Sequence, residues 1–246
     1  MFRESSLFQF KNGDHSCVFY RTDRELMEVL TPYVADGLRR GERVFCAQRP
    51  EILKRLTQDL IFLGLNPDYE RERGALDLCT ENDVYFPQHR FEPEAMMEML
   101  IRSIGQARAG GFTSFRSAGE MSWAVRGRNE CDQVVGYEKL VEEYYPGKPA
   151  IGLCQYAMEE FEPEVLKSVL AAHQMLIADT SPGSHHCSIH FRNEGWTAEL
   201  VAEKLAESPR YYYVVQHSWP HQIGGWGVAS DFDAASASIG ELALHA

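Results

Sequence analysis

No apolar run in this chain reaches the ~18 residues that a bilayer-spanning helix needs. The start, MFRESSLFQF, has neither a basic leading segment nor a long apolar stretch, so it does not read as a secretory signal. Positive charge is also scarce, with 24 Lys and Arg against 36 Asp and Glu and a formal net charge of −12. That balance works against a phosphate backbone, where binding depends on cations that displace counterions. It works equally against anionic membrane surfaces. Glycine is missing where a nucleotide fold would need it. The segment after the first apolar run, YRTDREL (20–26), has no Gly and no Lys, and G-x-G-x-x-G occurs nowhere. Without them the backbone cannot cradle phosphates, so no nucleotide cofactor is expected. Cysteines are few and scattered, at 17, 46, 79, 131, 154 and 187. Several lie inside apolar runs, as buried free thiols do. A disulfide framework belongs to small secreted chains, so reduced thiols and a cytoplasmic setting are expected.

What is present is ordinary for a globular protein. The 246 residues are 44% hydrophobic and 24% charged, enough for one well-buried α/β core with a small extension. Apolar runs of strand character occur at 15–20, 43–47, 75–79, 112–117, 150–156 and 174–178, rich in Val, Ile, Phe and Cys. Amphipathic helical patterns separate them. Thr22 and Glu25 have capping-box spacing ahead of Leu26, Val29, Leu30, Tyr33 and Val34. Pro32 inside that pattern predicts a kink or restart. Pro50, Pro93 and Pro163 each open a further helix, and another covers 132–144. Strands alternating with helices predict right-handed crossovers and a mostly parallel sheet covered on both faces. The core is expected to end near 179. Residues 180–246 then form a C-terminal extension of small α+β character, with strands at 188–192 and 211–215 and a helix near 195–207.

In an open α/β sheet, ligands bind outside the carboxyl ends of the strands. That rule selects Tyr20-Arg21, Gln48-Arg49, Arg116 through Glu120, and Gln155-Tyr156. This mixed polar and aromatic rim suits a small organic ligand. His15 and Cys17 share one strand face and offer two donors for a metal or haem iron, or a pocket wall, or a core histidine beside a buried thiol. Cys154 joins them if the first and fifth strands are neighbours. Arg116 and Glu120 read as ligand contacts or as a structural ion pair, while Trp123, Tyr20, Tyr137 and Tyr156 offer an aromatic wall. The tract His185, His186, Cys187, His190 holds four donors in six residues. Its spacing is not that of a standard zinc motif, and an exposed polar patch explains it as well. No catalytic set emerges, and an enzyme is the less favoured reading.

Six blocks in fixed order carry a resemblance. They are His15-x-Cys17-x-x-Tyr20, GLRRGERVFCA (37–47), GALDLCTENDVYFPQHRFEP (74–93), GFTSFRSAGEMSWA (111–124), GYEKLV (136–141) and GLCQYAMEEFEPEVL (152–166). Together they resemble the MEDS domain, a sensory domain named after methanogen and methylotroph proteins and a dichloromethane-responsive repressor. The resemblance runs from about 13 to 178. It implies a RecA/KaiC-like three-layer core without a functional phosphate loop, and direct sensing of small molecules such as hydrocarbon derivatives. The family's motif positions fall on His15, Cys17, Tyr20, Glu42, Arg116, Glu120, Trp123, Tyr137, Glu138, Cys154, Gln155 and Tyr156. The expected partners are a small organic ligand and a signalling protein, with self-association left open. The alternative is a metal- or haem-binding protein built on His15 and Cys17 or on the 185–190 tract. No output motif, helix-turn-helix or kinase, is found in 180–246.

Overall fold

A computed structural model describes residues 10–86, 90–126, 131–173, 175–179 and 186–190, the last segment and 178–179 as backbone only. The first strand, β1 (His15–Tyr20), leads through two residues into α1 (Asp23–Arg39). Then follow β2 (Arg43–Gln48), α2 (Pro50–Phe62), α3 (Pro67–Glu72), β3 (Leu76–Thr80), α4 (Glu81–Tyr85), α5 (Pro93–Ala109) and β4 (Phe115–Glu120). The order closes with α6 (Cys131–Tyr144), β5 (Ala150–Ala157), α7 (Pro163–Ala171), β6 (Met175–Asp179) and β7 (His186–His190). The sheet order is β3-β2-β4-β5-β1-β6-β7. Six strands are parallel, and β7 closes the edge antiparallel to β6. One core packs α1 and α2 on one sheet face, and a second packs α5, α6 and α7 on the other. This is the expected three-layer α/β architecture.

Local chemistry explains the helix starts. Thr22 accepts a hydrogen bond from the Glu25 amide, and the Glu25 carboxylate accepts one from the Arg21 amide. The two-residue turn after β1 is thereby tied into a cap and followed by the acidic residues Asp23 and Glu25. A phosphate would meet like charge there. Pro sits at the first helical position of α2, α3, α5 and α7, where its missing donor costs nothing.

Two expectations need correction. Pro32 does not restart α1, which is one helix from 23 to 39. Leu26, Leu30, Tyr33 and Val34 are fully buried on both sides of the proline, and that packing carries the helix through it. The fourth strand is not 112–117 but Phe115–Glu120. Ser117-Ala118-Gly119 reads as a turn by composition, yet it is the middle of a central strand. Gly119 is required there by the Tyr85 hydroxyl, which lies 2.4 Å from where a Cβ would stand. The helix at 195–207, the strand at 211–215 and the proposed division at 179/180 lie outside the described residues.

Candidate functional site

Strand alternation divides the expected rim into two groups on opposite faces of the sheet. Tyr20, Gln48, Glu120 and Gln155 lie at the carboxyl ends of β1, β2, β4 and β5 on the α1–α2 face. Glu120 Oε2 accepts from the Tyr20 hydroxyl at 2.5 Å and from Gln48 Nε2 at 3.1 Å. Its Oε1 accepts from the Ser122 amide at 2.8 Å. Gln48 Nε2 also reaches Gln155 Oε1 at 2.7 Å, while Gln155 Nε2 is buried without a partner among the described residues. All four side chains are buried. They close the strand ends with an internal polar layer. Burial, then the Glu120 charge, pushes the Tyr20 hydroxyl well up, so it remains a donor.

Arg116 does not belong to this layer and does not pair with Glu120. It is the second residue of β4, fully buried, and it points among α1 and the chain before β1. Its Nε donates to Glu42, its Nη1 to the Tyr33 carbonyl at 3.0 Å and its Nη2 to Asp36 at 3.0 Å. The Phe10 and Tyr33 rings flank the guanidinium at 5.4 and 4.7 Å. Each guanidinium nitrogen therefore has an acceptor within the fold, and Arg116 and Glu42 tie β4 to α1 and the turn after it.

His15, Cys17, Cys154 and Tyr156 lie on the other face, beneath α6. In this group the structure adds His173 from the turn before β6, which the sequence reading did not name, and Glu138 from α6, a motif position of the resemblance that was not among the candidate ligand contacts. Glu138 Oε2 lies 3.2 Å from His15 Nε2, 3.3 Å from Cys154 Sγ and 3.4 Å from His173 Nε2. Cys154 Sγ is 3.5 Å from His15 Nε2. The two imidazoles stack at 4.1 Å between centroids. Outer partners fix each group. His15 Nδ1 faces Glu142 Oε2 at 3.2 Å, His173 Nδ1 faces the Val169 carbonyl at 2.7 Å, and the Tyr156 hydroxyl donates to Glu138 Oε1. Cys17 is aligned with Cys154 in the β1–β5 register, but it is not one of the four clustered donors. The cluster lies toward the amino-terminal half of the strands, because His15 opens β1 and His173 precedes β6.

The charges are divided within this cluster. Burial opposes charge on Glu138, but His173, His15 and the Tyr156 hydroxyl outweigh it and bring the carboxyl down to about 2. Burial likewise opposes charge on His15, and the flanking Glu138 and Glu142 carboxylates reverse that and raise it. Burial, reinforced by the neighbouring His15 cation, lowers His173 to about 4, so this ring is neutral near neutral pH. Burial, then the Glu138 charge, pushes the Cys154 thiol well up. Chemically this is a His₂CysGlu donor set. His185 lies outside the described residues. His186, Cys187 and His190 are placed only as backbone of β7.

Beside the second face lies a cavity of ≈ 380 Å³ between α4, α5 and β2. Phe45, Tyr85, Phe91, Met96 and Met99 line it, with Arg102 and Glu98 on its walls. Trp123 lies beneath, stacked on Tyr85 at 4.9 Å and tilted against Phe91 at 4.6 Å. Its indole N–H is buried without a partner among the described residues. Phe91 in turn meets Tyr137 edge-on at 5.6 Å.

The model of the methanogen/methylotroph, DcmR sensory domain matches residues 14–174. The chain belongs to the MEDS family. The match covers every strand from β1 to β5 and both polar groups. No curated protein matches the chain. Among solved structures it is similar to a KaiC-like protein from the hyperthermophilic archaeon Pyrococcus horikoshii OT3. That similarity has a TM-score of 0.50 at 10% identity and covers 76% of this chain and 82% of that one. At that identity the likeness speaks for the fold alone. It agrees with the RecA/KaiC-like core expected of a MEDS domain. Among the described residues, no helix is long and apolar enough to cross a membrane.

Proposed function

We propose that this MEDS domain senses a small, largely apolar organic molecule, bound in the cavity between α4, α5 and β2. The observation that carries this reading is the cavity's construction. Aromatic and methionine side chains form its floor, and exposed charged side chains stand on its walls. Such a site binds by apolar burial, with a few polar groups to orient the guest. Its volume of ≈ 380 Å³ suits a compact ligand. The aromatic stack on Trp123 joins the cavity to the core above α6, so an occupant would bear on residues that pack against β4 and β5. The buried, mutually hydrogen-bonded layer of Tyr20, Gln48, Glu120 and Gln155 offers a ligand much less room.

The test is a thermal-shift and ligand-observed NMR screen of the full chain against short-chain alcohols, ketones, methylamines and halocarbons. A ligand present at a hundred times its dissociation constant stabilises by about 2.7 kcal/mol, which raises Tm by roughly 5–10 °C. Ala95→Trp, at an exposed position on the cavity wall, should abolish the response while leaving the fold intact. A response that survives Ala95→Trp, or no response across the panel, would refute this location.

A further inference from the structure

We propose that His15 Nε2, Glu138 Oε2, Cys154 Sγ and His173 Nε2 form a tetrahedral binding site for a borderline divalent cation of the zinc class. The site is separate from the organic cavity, and neither proposal depends on the other.

Three observations carry it. The first is spacing. Zinc-to-donor distances of about 2.0–2.3 Å set the edges of a coordination tetrahedron at about 3.3–3.6 Å. Four of the six donor separations are 3.2, 3.3, 3.4 and 3.5 Å, and the other two stay within 4.8 Å. Four donors from β1, α6, β5 and the turn before β6 therefore stand close enough to share one ion, with the two edges from His173 to His15 and Cys154 left to adjust on binding.

The second is the tautomer of His173. A carbonyl only accepts, so the 2.7 Å contact with Val169 puts the ring proton on Nδ1. In the neutral ring Nε2 then carries a lone pair. It is buried, makes no hydrogen bond among the described residues, and faces a carboxylate oxygen at 3.4 Å. Two lone pairs facing each other in a dry interior are unfavourable, and a cation between them removes the conflict. A charged His15 bridging Glu138 and Glu142 explains the cluster without metal for that ring alone. It leaves His173 unexplained.

The third is the outer layer. Metal-binding histidines direct their second nitrogen to a carboxylate or a backbone carbonyl. His15 does the first through Glu142 and His173 does the second through Val169. The Tyr156 hydroxyl holds Glu138 Oε1 and leaves Oε2 for the cluster. Cation class follows from the donors. Calcium and magnesium take oxygen, and copper(I) prefers softer sets. One thiolate and one carboxylate neutralise a divalent ion exactly where a net charge would be costly to bury. On binding, Cys154 gives up its thiol proton to solvent, and His15 offers Nε2 as a free lone pair.

The experiment uses the full chain, treated with chelator and reloaded with Co²⁺ in the absence of oxygen and of thiol reductants. The expected result is one Co²⁺ per chain, with a thiolate-to-cobalt charge-transfer band and tetrahedral visible bands, both displaced by Zn²⁺. Cys154→Ser should remove the charge-transfer band. Cys17→Ser, beside the site, and Cys187→Ser, in the histidine-rich tract, should keep it. Glu142→Gln changes a partly exposed side chain that supports His15 without being a ligand. It should retain the fold and weaken Co²⁺ about 10- to 100-fold. Substoichiometric cobalt, a band that survives Cys154→Ser, or a band lost in Cys187→Ser overturns the assignment. Unchanged cobalt affinity in Glu142→Gln counts against it even if Cys154→Ser fails to fold.

Discussion

Arg116 gives the sharpest energetic prediction. Its side chain is fully buried and Glu42 is 2% exposed, so each charge depends on the ion pairs around it. Replacing Arg116 with Met keeps much of the volume between Phe10 and Tyr33 but leaves the Glu42 carboxylate buried, with Arg40 at 3.2 Å as its remaining cation. Breaking a buried pair from one side costs about 3–5 kcal/mol. For a fold of this size that lowers Tm by roughly 6–20 °C. Asp36 is 37% exposed and is easily solvated when the guanidinium is gone. The double substitution Arg116→Met with Glu42→Met removes both charges and should recover at least half of the loss, a coupling of about 2 kcal/mol or more. Equilibrium urea unfolding of the four proteins, followed by far-ultraviolet circular dichroism, measures the cycle. A single substitution costing under about 1 kcal/mol would refute the reasoning, as would two losses that simply add. Cobalt binding should be unchanged in both folded variants, because Arg116 faces away from the His–Cys–Glu cluster.

Gly37→Ala tests the same packing from the helix side. In an ordinary helix this change stabilises by about 0.5–1 kcal/mol, but here the new Cβ would stand 2.7 Å from Arg116 Cδ and 2.9 Å from Val44 Cγ2. The guanidinium is held by three acceptors and cannot give way, so a loss of about 1–3 kcal/mol is expected in thermal unfolding, and a gain would show that the site is looser than described. Tyr20→Phe removes the hydroxyl that donates to buried Glu120 and should cost about 1.5–3 kcal/mol. Adding Glu120→Gln to that variant should cost less than the two changes summed, and strict additivity in chemical denaturation would count against a shared network.

Much of the fold was legible because buried parallel strands are written as short apolar runs. HSCVFY coincides with β1, and the Thr22–Glu25 spacing became a real cap. The fourth strand was misplaced because Ser, Ala and Gly read as a turn, whereas here small residues make room for Tyr85. The site was legible only residue by residue. Glu138 stood at a buried position of α6, spaced from Val134, Tyr137 and Val141 like a core residue, and a carboxylate in such a stripe is a signal that could have nominated it. His173 carried no such mark. Its role depends on β6 pairing with β1, a contact across more than 150 residues that no local pattern encodes. The single rim expected at the strand ends failed for a simpler reason. Neighbouring residues such as Cys154 and Gln155 point to opposite faces, so a list of strand-end residues mixes two environments.

That alternation has a mechanical consequence. Cys154 and Gln155 are joined by one rigid peptide plane, the first reaching into the His–Glu cluster and the second into the polar layer around Glu120. In β1, His15 and Tyr20 at the two ends of the strand likewise fall on opposite faces. A small axial slide of β5 against β1 would therefore strain hydrogen bonds above and below the sheet at once. The two polar groups therefore share the backbone of β1 and β5, and a shift of either strand would move members of both at once.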